Sequence, residues 1–436
     1  MIEIYLTIFF ISVLLIFLGT GVWVGISMIG VSTIGMLMFT SRPVGDAMAT
    51  TMWSMGSSWS LTALPLFVWM GEILFRTKLS ENLFKGLSPW IQKLPGGLIH
   101  VNVVGCALFA AISGSSAATV ATVGKMSIPE LRKRNYPEKI LLGSLAGSGT
   151  LGLLIPPSII LIIYGVAVQE SIAKLFIAGI IPGIMIALIF MSYVIIWSLI
   201  NKKDMPKILE EYSFLEKLKR SKQLLPVIIL ILSVIGSIYT GIATATEAAS
   251  LGVVGALILS YFQKTLTFKT FKLSLLGATK TSCMIAFILA GSTFLSLAMG
   301  FTGLPRNLAL WIQNMDLSPY VLIFVLMIFY IILGMFLDGI SAVVLTMAII
   351  EPMIRQAGFD MIWFGIFLVI VVEMAQITPP VGFNLFVLQG MAKKDMGYIA
   401  ESAFPLFLLM VLAVILVVIF PEIALWMPEQ MIKNIN

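Results

Sequence analysis

Charged residues, histidine and cysteine are all scarce in this chain. Of its 436 residues, 11% are charged, one is histidine and two are cysteine. Transition-metal centres are usually built from several histidine and cysteine ligands, so the sequence gives no reason to expect one. The motifs HExxH and CxxC are absent, and Gly124-Lys125 is followed by Met126 where a P-loop needs serine or threonine. We therefore expect neither ATP binding nor enzymatic activity.

Apolar residues dominate instead. Hydrophobic residues make up 59% of the chain, and the mean hydropathy is +1.05. No soluble fold of this length is so apolar, so we predict an all-α polytopic membrane protein. The net charge of +6 lies in the connectors, which indicates the cytoplasmic bias of lysine and arginine rather than nucleic-acid binding. Residues 1–18 lack a basic region and a cleavage site, so we expect a retained first transmembrane helix.

One unit of the sequence recurs 223 positions further along the chain. Each copy contains an apolar run, a small or polar break, a short polar connector, and an apolar run interrupted by two prolines. Interrupted helices at matching positions in two halves point to a transporter's binding site. Pro129 matches Pro352, and Pro156-Pro157 match Pro379-Pro380. The triplet Trp90-Ile91-Gln92 also recurs, as Trp311-Ile312-Gln313, but two residues short of that register.

The basic residues predict how the two units enter the membrane. Residues 96–126 are mostly apolar, have basic flanks on both sides, and are too short for two crossings, which need about 40 residues. We therefore predict a re-entrant helical hairpin that enters from the cytoplasm, with its tip at 113–116. A second hairpin, at 320–352, enters from outside with its tip near Asp338-Gly339. This inverted repeat places 22 of the 27 lysine and arginine residues on the cytoplasmic side.

The sequence predicts breaks at 147–157 and 375–382 in the two proline-containing apolar runs, and these breaks supply groups that bind ions. A broken helix exposes carbonyl groups that suit a small hard cation and N–H groups that suit a carboxylate. Two cages made only of oxygen ligands indicate two alkali-ion sites, although small residues in membrane helices also serve close packing. The candidates are Ser113, Ser115 and Ser116 facing Gly149, Thr150 and Gly152 in the first half, and Gly334, Asp338 and Gly339 facing Ala375, Thr378 and Val381 in the second.

Four carboxylates lie within or beside apolar runs, where burial is costly: Glu72, Glu247, Asp338 and Glu373. In the register of the repeat, Asp338 aligns with Ser115 and Glu373 aligns with Thr150, so each falls at a predicted site. Such a carboxylate could be an ion ligand, a proton carrier or the organiser of a hairpin tip. The structural alternative is a helix cap or an ion pair, and we interpret Glu72 as interfacial.

Several stretches of this sequence resemble a known family. They are SGSSAATVATVG, GSGTLGLLIPPSIILIIYG, TGIATATEAA, GMFLDGISA and ITPPVGFNLFV, and they are similar to the large membrane subunit of tripartite ATP-independent periplasmic (TRAP) transporters. The resemblance covers essentially the whole chain. It implies an elevator-type transporter of the ion transporter superfamily, with two re-entrant hairpins and two broken helices in a moving domain. It also implies sodium-driven uptake of an organic acid delivered by a periplasmic binding protein, at the bacterial inner membrane.

The resemblance also implies partners and a division into segments. A small four-helix membrane subunit normally packs against the scaffold, and we expect it as a separate chain because this one starts at the large subunit's first helix. Both termini are expected in the periplasm. The segments are N-terminal scaffold helices with an amphipathic arm (1–95), the first transport half (96–170), scaffold helices with a cytoplasmic loop at 201–222 (171–280), a scaffold helix with an external amphipathic arm (281–319), the second transport half (320–392) and a C-terminal helix (393–436).

Carried onto this sequence, the family's motifs imply three sites. In the second half Ala375 stands where the first half has Gly152, a change that a main-chain carbonyl ligand tolerates. The first sodium site would lie at Ser113, Ser115 and Ser116 with Gly152, Ile155 and Pro156, the second at Gly334 with Ala375, Thr378 and Val381, and the substrate near Ser115, Ser116, Thr150, Asp338 and Asn384.

Two other functions remain open on the sequence. A stand-alone sodium/dicarboxylate symporter has a similar architecture, but such proteins typically carry Ser-Asn-Thr at both hairpin tips, and this chain does not. An ion channel or a purely structural membrane component is the third possibility, and the paired broken helices argue against a simple anchor. The residues do not distinguish a C4-dicarboxylate from a sugar acid such as sialic acid as the substrate.

Overall fold

The computed structural model describes residues 2–77, 79–206, 212–304, 307 and 318–435. These residues form helices joined by short turns, with no β-strand among them. The predicted external arm falls mainly outside the described residues, as do Arg306 and the second Trp-Ile-Gln triplet. The first ten described helices are α1 (Ile2–Gly19), α2 (Val24–Phe39), α3 (Val44–Gly56), α4 (Ala63–Phe75), α5 (Leu79–Ile91), α6 (His100–Ser113), α7 (Ser116–Lys133), α8 (Glu138–Gly149), α9 (Leu151–Leu154) and α10 (Ile159–Val168).

The remaining helices follow the same pattern of long apolar segments and short connections. Short 3₁₀ turns lie at Trp59–Thr62, Gly97–Ile99 and Lys202–Asp204. The helices are α11 (Ile172–Ile200), α12 (Phe214–Ser221), α13 (Leu225–Tyr239), α14 (Ala245–Phe262), α15 (Phe268–Thr302), α16 (Pro319–Gly334), α17 (Gly339–Gln356), α18 (Met361–Ala375), α19 (Phe383–Ala392), α20 (Met396–Ile419) and α21 (Glu422–Ile435).

Several of these helices suit a bilayer. Five described helices, α11, α14, α15, α17 and α20, are long and apolar enough to cross a membrane, and the number rises to eight if each bent helix pair counts as one span. The prediction of an all-helical, multi-pass membrane protein is therefore confirmed. That the repeats are inverted stays a prediction.

The first hairpin consists of α6 and α7, which pack against each other around a tight turn. Gly114 has a left-handed backbone (φ +57°), which glycine adopts without strain, and it ends α6. The Ser115 hydroxyl then caps α7 by accepting a hydrogen bond from the Ala118 N–H (3.4 Å). The turn falls where the sequence predicts it. However, α7 continues to Lys133, beyond the predicted end at residue 126, because basic residues in its last turn favour the carbonyl end of a helix.

The second hairpin consists of α16 and α17, and its turn lies at 335–338. The Asp338 carboxylate caps α17 by accepting a hydrogen bond from the Ser341 N–H (3.1 Å). The predicted tip near Asp338-Gly339 is therefore the start of α17. The two tips differ in one respect, because an anionic side chain caps α17 and a neutral hydroxyl caps α7.

The two interrupted helices are α8–α9–α10 and α18–α19. In the first, the predicted break at 147–157 is longer than the observed one. Helix α8 continues through Gly147 to Gly149, the single turn residue Thr150 separates it from α9, and the longer interruption lies at 155–158. Both glycines serve packing, since a Cβ on Gly147 would lie 2.2 Å from Leu406 and one on Gly149 would lie 2.0 Å from Val120. The second break spans 376–382, close to the prediction of 375–382. Each break contains a cis bond between its two prolines.

The lysine-rich connector before residue 282 is helical. The sequence predicts a polar connector between an apolar run that ends at Phe262 and one that starts at Ser282. The structure shortens that connector to 263–267, because α15 runs without interruption over 35 residues from Phe268. Thr267 and Thr270 form a reciprocal capping box that starts the helix upstream of Lys269, Lys272 and Lys280. Lysine is itself a good helix former, so the charged segment extends the span instead of ending it.

Helix α18 lies at the centre of the fold. All 15 of its residues are buried, and it packs against both hairpin 2 and the helices of the first half. At the basic end of α7, Arg132 donates hydrogen bonds to Glu138 and to the Ala392 carbonyl (2.8 Å) at the end of α19. The connector after hairpin 1 is therefore tied to the broken helix of the second half.

Replacing Arg132 by alanine should lower the apparent melting temperature of the detergent-purified protein by a few degrees. The substitution leaves the Ala392 carbonyl and the Glu138 carboxylate without their shared partner, a loss of about 1 kcal/mol at a partly exposed site. Tryptophan fluorescence during heating provides the measurement. Lys133→Ala is the matched control, because it removes an exposed charge from the same helix turn. Equal decreases in melting temperature for Arg132→Ala and Lys133→Ala would contradict the stabilising role that we assign to the Arg132 hydrogen bonds.

Candidate functional site

The two hairpin tips meet at one cavity of about 350 Å³. This volume lies in the range of roughly 300–1,000 Å³ that small-molecule sites occupy. Hairpin 1 contributes the residues of its tip and the first turn of α7, and hairpin 2 contributes the first turn of α17. The remaining wall comes from α4, α9, α10, α15, the second break and the start of α19. The polar residues on the wall are Glu72, Ser113, Ser115, Ser116, Thr281, Asp338 and Gln376.

Local hydrogen bonds fix the first tip. The hydroxyls of Ser113 and Thr119 are 2.9 Å apart, and the Thr119 hydroxyl also donates to the Ser115 carbonyl (2.8 Å). Thr119, which lies in the first turn of α7, thereby stabilises the tip of the hairpin through its side chain. The tip also lies against Gly71 of α4, where a Cβ would lie 3.3 Å from the carbonyl oxygens of Ile112 and Ser113.

Gly152 brings the first broken helix against this tip. A Cβ on Gly152 would lie 2.6 Å from the Ser116 Cα and 2.7 Å from both the Ser115 carbonyl oxygen and the Ser116 nitrogen. These are main-chain atoms, which cannot rotate away. The structure therefore places Ser115, Ser116 and Gly152 of the predicted first sodium site in direct contact.

The other residues predicted for the first sodium site lie further from the tip turn. Gly149 lies one turn earlier and close to the Asn384 amide, at 3.4 Å from a Cβ placed on the glycine. The side chains of Ile155 and Pro156 pack on Gly183 and Gly179 of α11. The break itself still approaches the tip, because a Cβ on Gly114 would lie 2.8 Å from the Pro157 carbonyl oxygen.

The residues predicted for the second sodium site lie around the C-terminal end of α18. A Cβ on Gly334 would lie 2.5 Å from the Ala375 Cβ, so the end of α16 sits directly on this alanine. Gly339 packs on Val372 of the same helix, and the Thr378 hydroxyl donates to the Ala375 carbonyl (2.8 Å). Asp338 caps α17 beside this group, and Val381 is partly exposed in the break.

The five predicted substrate residues divide into two groups. Three of them line the cavity: Ser115 and Ser116 from the first tip, and Asp338 from the second. Thr150 does not line it, and its hydroxyl donates to the Gly147 carbonyl (2.6 Å) at the end of α8. Asn384 is fully buried behind the cavity, beside Gly149.

Three polar residues of the cavity wall were not among the predicted site residues. Gln376 is a buried polar residue inside the second break, and its position there could have singled it out. Thr281 lies in the middle of α15, and only the tertiary structure brings it to the tips. Glu72, interpreted as interfacial, is partly buried on the cavity wall and forms an ion pair with Arg76 (2.9 Å).

The remaining carboxylates have different surroundings. The Glu247 side chain accepts hydrogen bonds from the Thr244 N–H (2.8 Å) and hydroxyl (2.9 Å), which makes it a helix cap at the start of α14. Glu373 is fully buried in α18, and the Ser116 hydroxyl donates to its Oε2 (2.6 Å). This contact joins residues 257 positions apart and links the first tip to the second half of the chain.

Two helical hairpins and two interrupted helices around one shared cavity define a polytopic membrane protein of the transporter class. A family model described as the tripartite ATP-independent periplasmic transporter, DctM component, matches residues 11–423. The chain therefore belongs to the DctM family, as the sequence motifs indicated. Members of this family are transporter permeases and not enzymes, which confirms the prediction made from the absent catalytic motifs.

Individual relatives agree with this assignment. The large permease protein DctM of the C4-dicarboxylate TRAP transporter of Pseudomonas aeruginosa is 32% identical, over 90% of this chain and 91% of that protein. The sialic acid TRAP transporter large permease protein SiaM of Vibrio cholerae is 29% identical, over 94% and 95%. The crystal structure of the Alcanivorax borkumensis YdaH transporter has a similar fold, with a TM-score of 0.60, 11% identity and 87% of each chain covered.

Proposed function

We propose that this chain is the large membrane subunit of a sodium-coupled TRAP transporter that takes up an organic acid anion. The meeting of both hairpin tips at one cavity carries this proposal. Each tip rests on the interrupted helix of its own half, through Gly152 in the first and through Ala375 in the second. Ligands bound at the tips would therefore act on both halves of the chain together.

The cavity suits a carboxylate at the first tip. Helix α7 begins there, and the free N–H groups of a helix start carry partial positive charge. Its cap is the neutral Ser115, so the positive end is not already neutralised by a side chain. At the second tip, by contrast, Asp338 caps α17 with a negative charge. The anionic group of the substrate therefore binds at the first tip, and Asp338 faces its polar or hydroxyl-bearing part.

Sodium ions bind at the two break regions in this proposal. Main-chain carbonyls freed at 155–158 and 376–382 supply hard oxygen ligands, and the hydroxyls of the first tip and of Thr378 lie beside them. Two or more ions would hold the tips in the form that binds substrate. This arrangement requires no nucleotide and no metal ion other than sodium.

The transport cycle is an elevator movement in this proposal. The moving body comprises 96–170 and 320–392, held together by Arg132 on the Ala392 carbonyl and by Ser116 on Glu373. The segments 1–95, 171–280 and 281–319 form the scaffold. The C-terminal segment, 393–436, was predicted to be one helix but contains two, α20 and α21. The tip of hairpin 1 lies against Gly71 of the scaffold helix α4, where the absence of a side chain would allow one surface to slide past the other.

The proposal includes two protein partners. A small four-helix membrane subunit packs against the scaffold, and a periplasmic binding protein delivers the substrate, as the family's tripartite name suggests. The complex lies in the bacterial inner membrane with both termini of this chain in the periplasm. C4-dicarboxylates and sialic acid are the first substrates to examine, because relatives that carry these names resemble this chain over nearly all of its length.

Uptake into proteoliposomes tests this function. The purified chain is reconstituted with its small membrane subunit, a binding protein is supplied outside, and labelled substrates are offered under a sodium or a choline gradient. We expect saturable uptake only with all three proteins and sodium. Saturable uptake by this chain alone would indicate the stand-alone symporter, and flux that does not saturate would indicate a channel.

Changes at the second tip test the second sodium site. Asp338→Asn and Thr378→Ala should each raise the sodium concentration needed for half-maximal uptake severalfold. The first removes the negative charge of a proposed ligand, and the second removes the hydroxyl that bonds the Ala375 carbonyl. Thr279→Ala is the control, since its hydroxyl bonds the Leu275 carbonyl on an exposed part of α15. If both variants keep the parent's sodium dependence, the second site is not where we place it.

A further inference from the structure

We propose that helix α12 lies in the membrane interface and binds the headgroups of anionic phospholipids. This helix (Phe214–Ser221) falls in the connector at 201–222, which the sequence predicts as a cytoplasmic loop. A capping box fixes its start, in which the Glu216 carboxylate accepts a hydrogen bond from the Ser213 N–H (2.9 Å). Four of its eight residues are charged, so it is too polar to lie in the hydrocarbon core as part of a span.

Helix α12 turns away from the helix that follows it. Its axis is bent by 56° from that of α13. Helix α13 is apolar, and Leu225, Ile229 and Leu232 are exposed on it, as expected of side chains that face lipid. A helix that continues a span at such an angle leaves the direction of the bilayer normal and approaches the plane of the membrane surface. Amphipathic helices with basic polar faces bind membranes in this orientation.

Contacts with α5 fix which side of α12 faces outward. The Trp90 Nε1–H donates to the Ser221 hydroxyl (2.6 Å), and the Lys217 ammonium lies 5.6 Å from the centre of the Trp90 ring. At the bend, Gly86 of α5 admits Leu224, since a Cβ on this glycine would lie 2.6 Å from the Leu224 Cγ. The side of α12 that carries Lys217 and Ser221 is therefore covered by α5.

The uncovered side of α12 combines leucine with lysine. Leu215 is 78% exposed and Leu218 is 51% exposed. Lys219 lies one helical turn after Leu215, and Lys222 lies one turn after Leu218, so each lysine shares a side of the helix with a leucine. Both lysines are exposed, and neither forms an ion pair with a residue that the structure describes.

This arrangement matches the chemistry of an anionic phospholipid. The leucines contact acyl chains near the interface, while the lysine stems lie along them and place their ammonium groups at the depth of the phosphates. Basic clusters beside a span or on an amphipathic helix bind anionic headgroups in this way. Residues 212–223 carry four basic side chains and one carboxylate, Glu216, which caps the helix. The excess positive charge selects an anionic headgroup over a zwitterionic one.

A spin label at residue 215 tests the proposal in the full-length protein. Leu215→Cys is labelled in a Cys283→Ser background, because Cys283 is exposed and Cys106 is buried. Collisions of the label with oxygen report hydrocarbon, and collisions with a water-soluble nickel complex report water. When phosphatidylglycerol is added to phosphatidylcholine vesicles, we expect the oxygen-to-nickel ratio to rise severalfold. Arg220→Cys is the control position, on another side of the helix, and its label should stay accessible to nickel.

Paired lysine variants supply the matched comparison. Lys219→Gln/Lys222→Gln should abolish the response to phosphatidylglycerol, because the positive charges beside the label are gone, and Lys219→Arg/Lys222→Arg should keep it. Equal ratios in the two kinds of vesicle, or a response that survives the glutamine pair, would overturn the proposal. A label shielded from both reagents only when the small membrane subunit is present would identify a protein as the occupant and would also overturn it.

A second measurement needs no label, so it decides the matter if the label disturbs α12. Native mass spectrometry counts the phosphatidylglycerol molecules that stay bound to the detergent-purified chain. We expect the glutamine pair to retain fewer molecules than the parent, and the arginine pair to retain as many. Equal retention by all three proteins would contradict lipid binding at Lys219 and Lys222. Neither experiment measures transport, so the outcome does not depend on the proposed function.

Discussion

Replacing Gly152 by alanine is expected to lower uptake about tenfold in the reconstituted transporter. The added methyl group would lie 2.6–2.7 Å from three main-chain atoms of Ser115 and Ser116. Because backbone cannot rotate away as a side chain can, the tip must move off the broken helix. Overpacking of this kind costs about 1–3 kcal/mol, and 1.4 kcal/mol corresponds to a factor of ten in an equilibrium. Initial uptake rates at several sodium concentrations provide the measurement.

Gly390→Ala is the matched control for this experiment. Gly390 lies in the helix α19, as Gly152 lies in α9, but a Cβ there would have no heavy atom within 4 Å. Both substitutions gain the same helix propensity, about 1 kcal/mol, so only the contact at the tip distinguishes them. Gly390→Ala should transport as the parent does. Normal uptake by Gly152→Ala would mean that the contact between tip and broken helix is not needed for transport.

The positions of the tips and of the second break follow from local chemistry. Gly114 allows the left-handed turn, Ser115 and Asp338 are good helix caps, and a proline pair cannot continue a helix. These preferences act within a few residues, so the sequence predicts them. The same local reasoning starts the first break too early, at residue 147, because it took the glycines there as part of the break. Gly147 is instead a packing residue against Leu406 of α20.

The composition of the cavity wall depended on tertiary structure and could not be predicted locally. Thr150 and Asn384 were assigned to the substrate, yet one bonds its own helix and the other lies behind the wall. Thr281 reaches the cavity from the middle of a long helix. The contact of Ser116 with Glu373 spans 257 positions, and the register of the repeat pairs Glu373 with Thr150 instead. Such contacts are set by how helices pack, and no pattern in one sequence encodes them directly.

The repeat itself nevertheless explains how the two halves differ. In the first half the small residue is on the broken helix, where Gly152 admits the backbone of the tip. In the second half the broken helix carries Ala375 at the matching position, and the small residue Gly334 is on the hairpin. The same close contact is thus made with the roles of the two elements exchanged. This accounts for an alanine at a position where the register predicts glycine.

This exchange of roles predicts a compensating pair of substitutions. Gly334→Ala should lower sodium-dependent uptake about tenfold, because the new methyl group would lie 2.5 Å from the Ala375 Cβ. Adding Ala375→Gly removes that methyl neighbour and should restore most of the uptake, whereas Ala375→Gly alone should have a smaller effect. All three variants are compared in one proteoliposome assay across a range of sodium concentrations. If the double variant transports no better than Gly334→Ala, the second tip does not close on Ala375, and the second sodium site must be sought elsewhere.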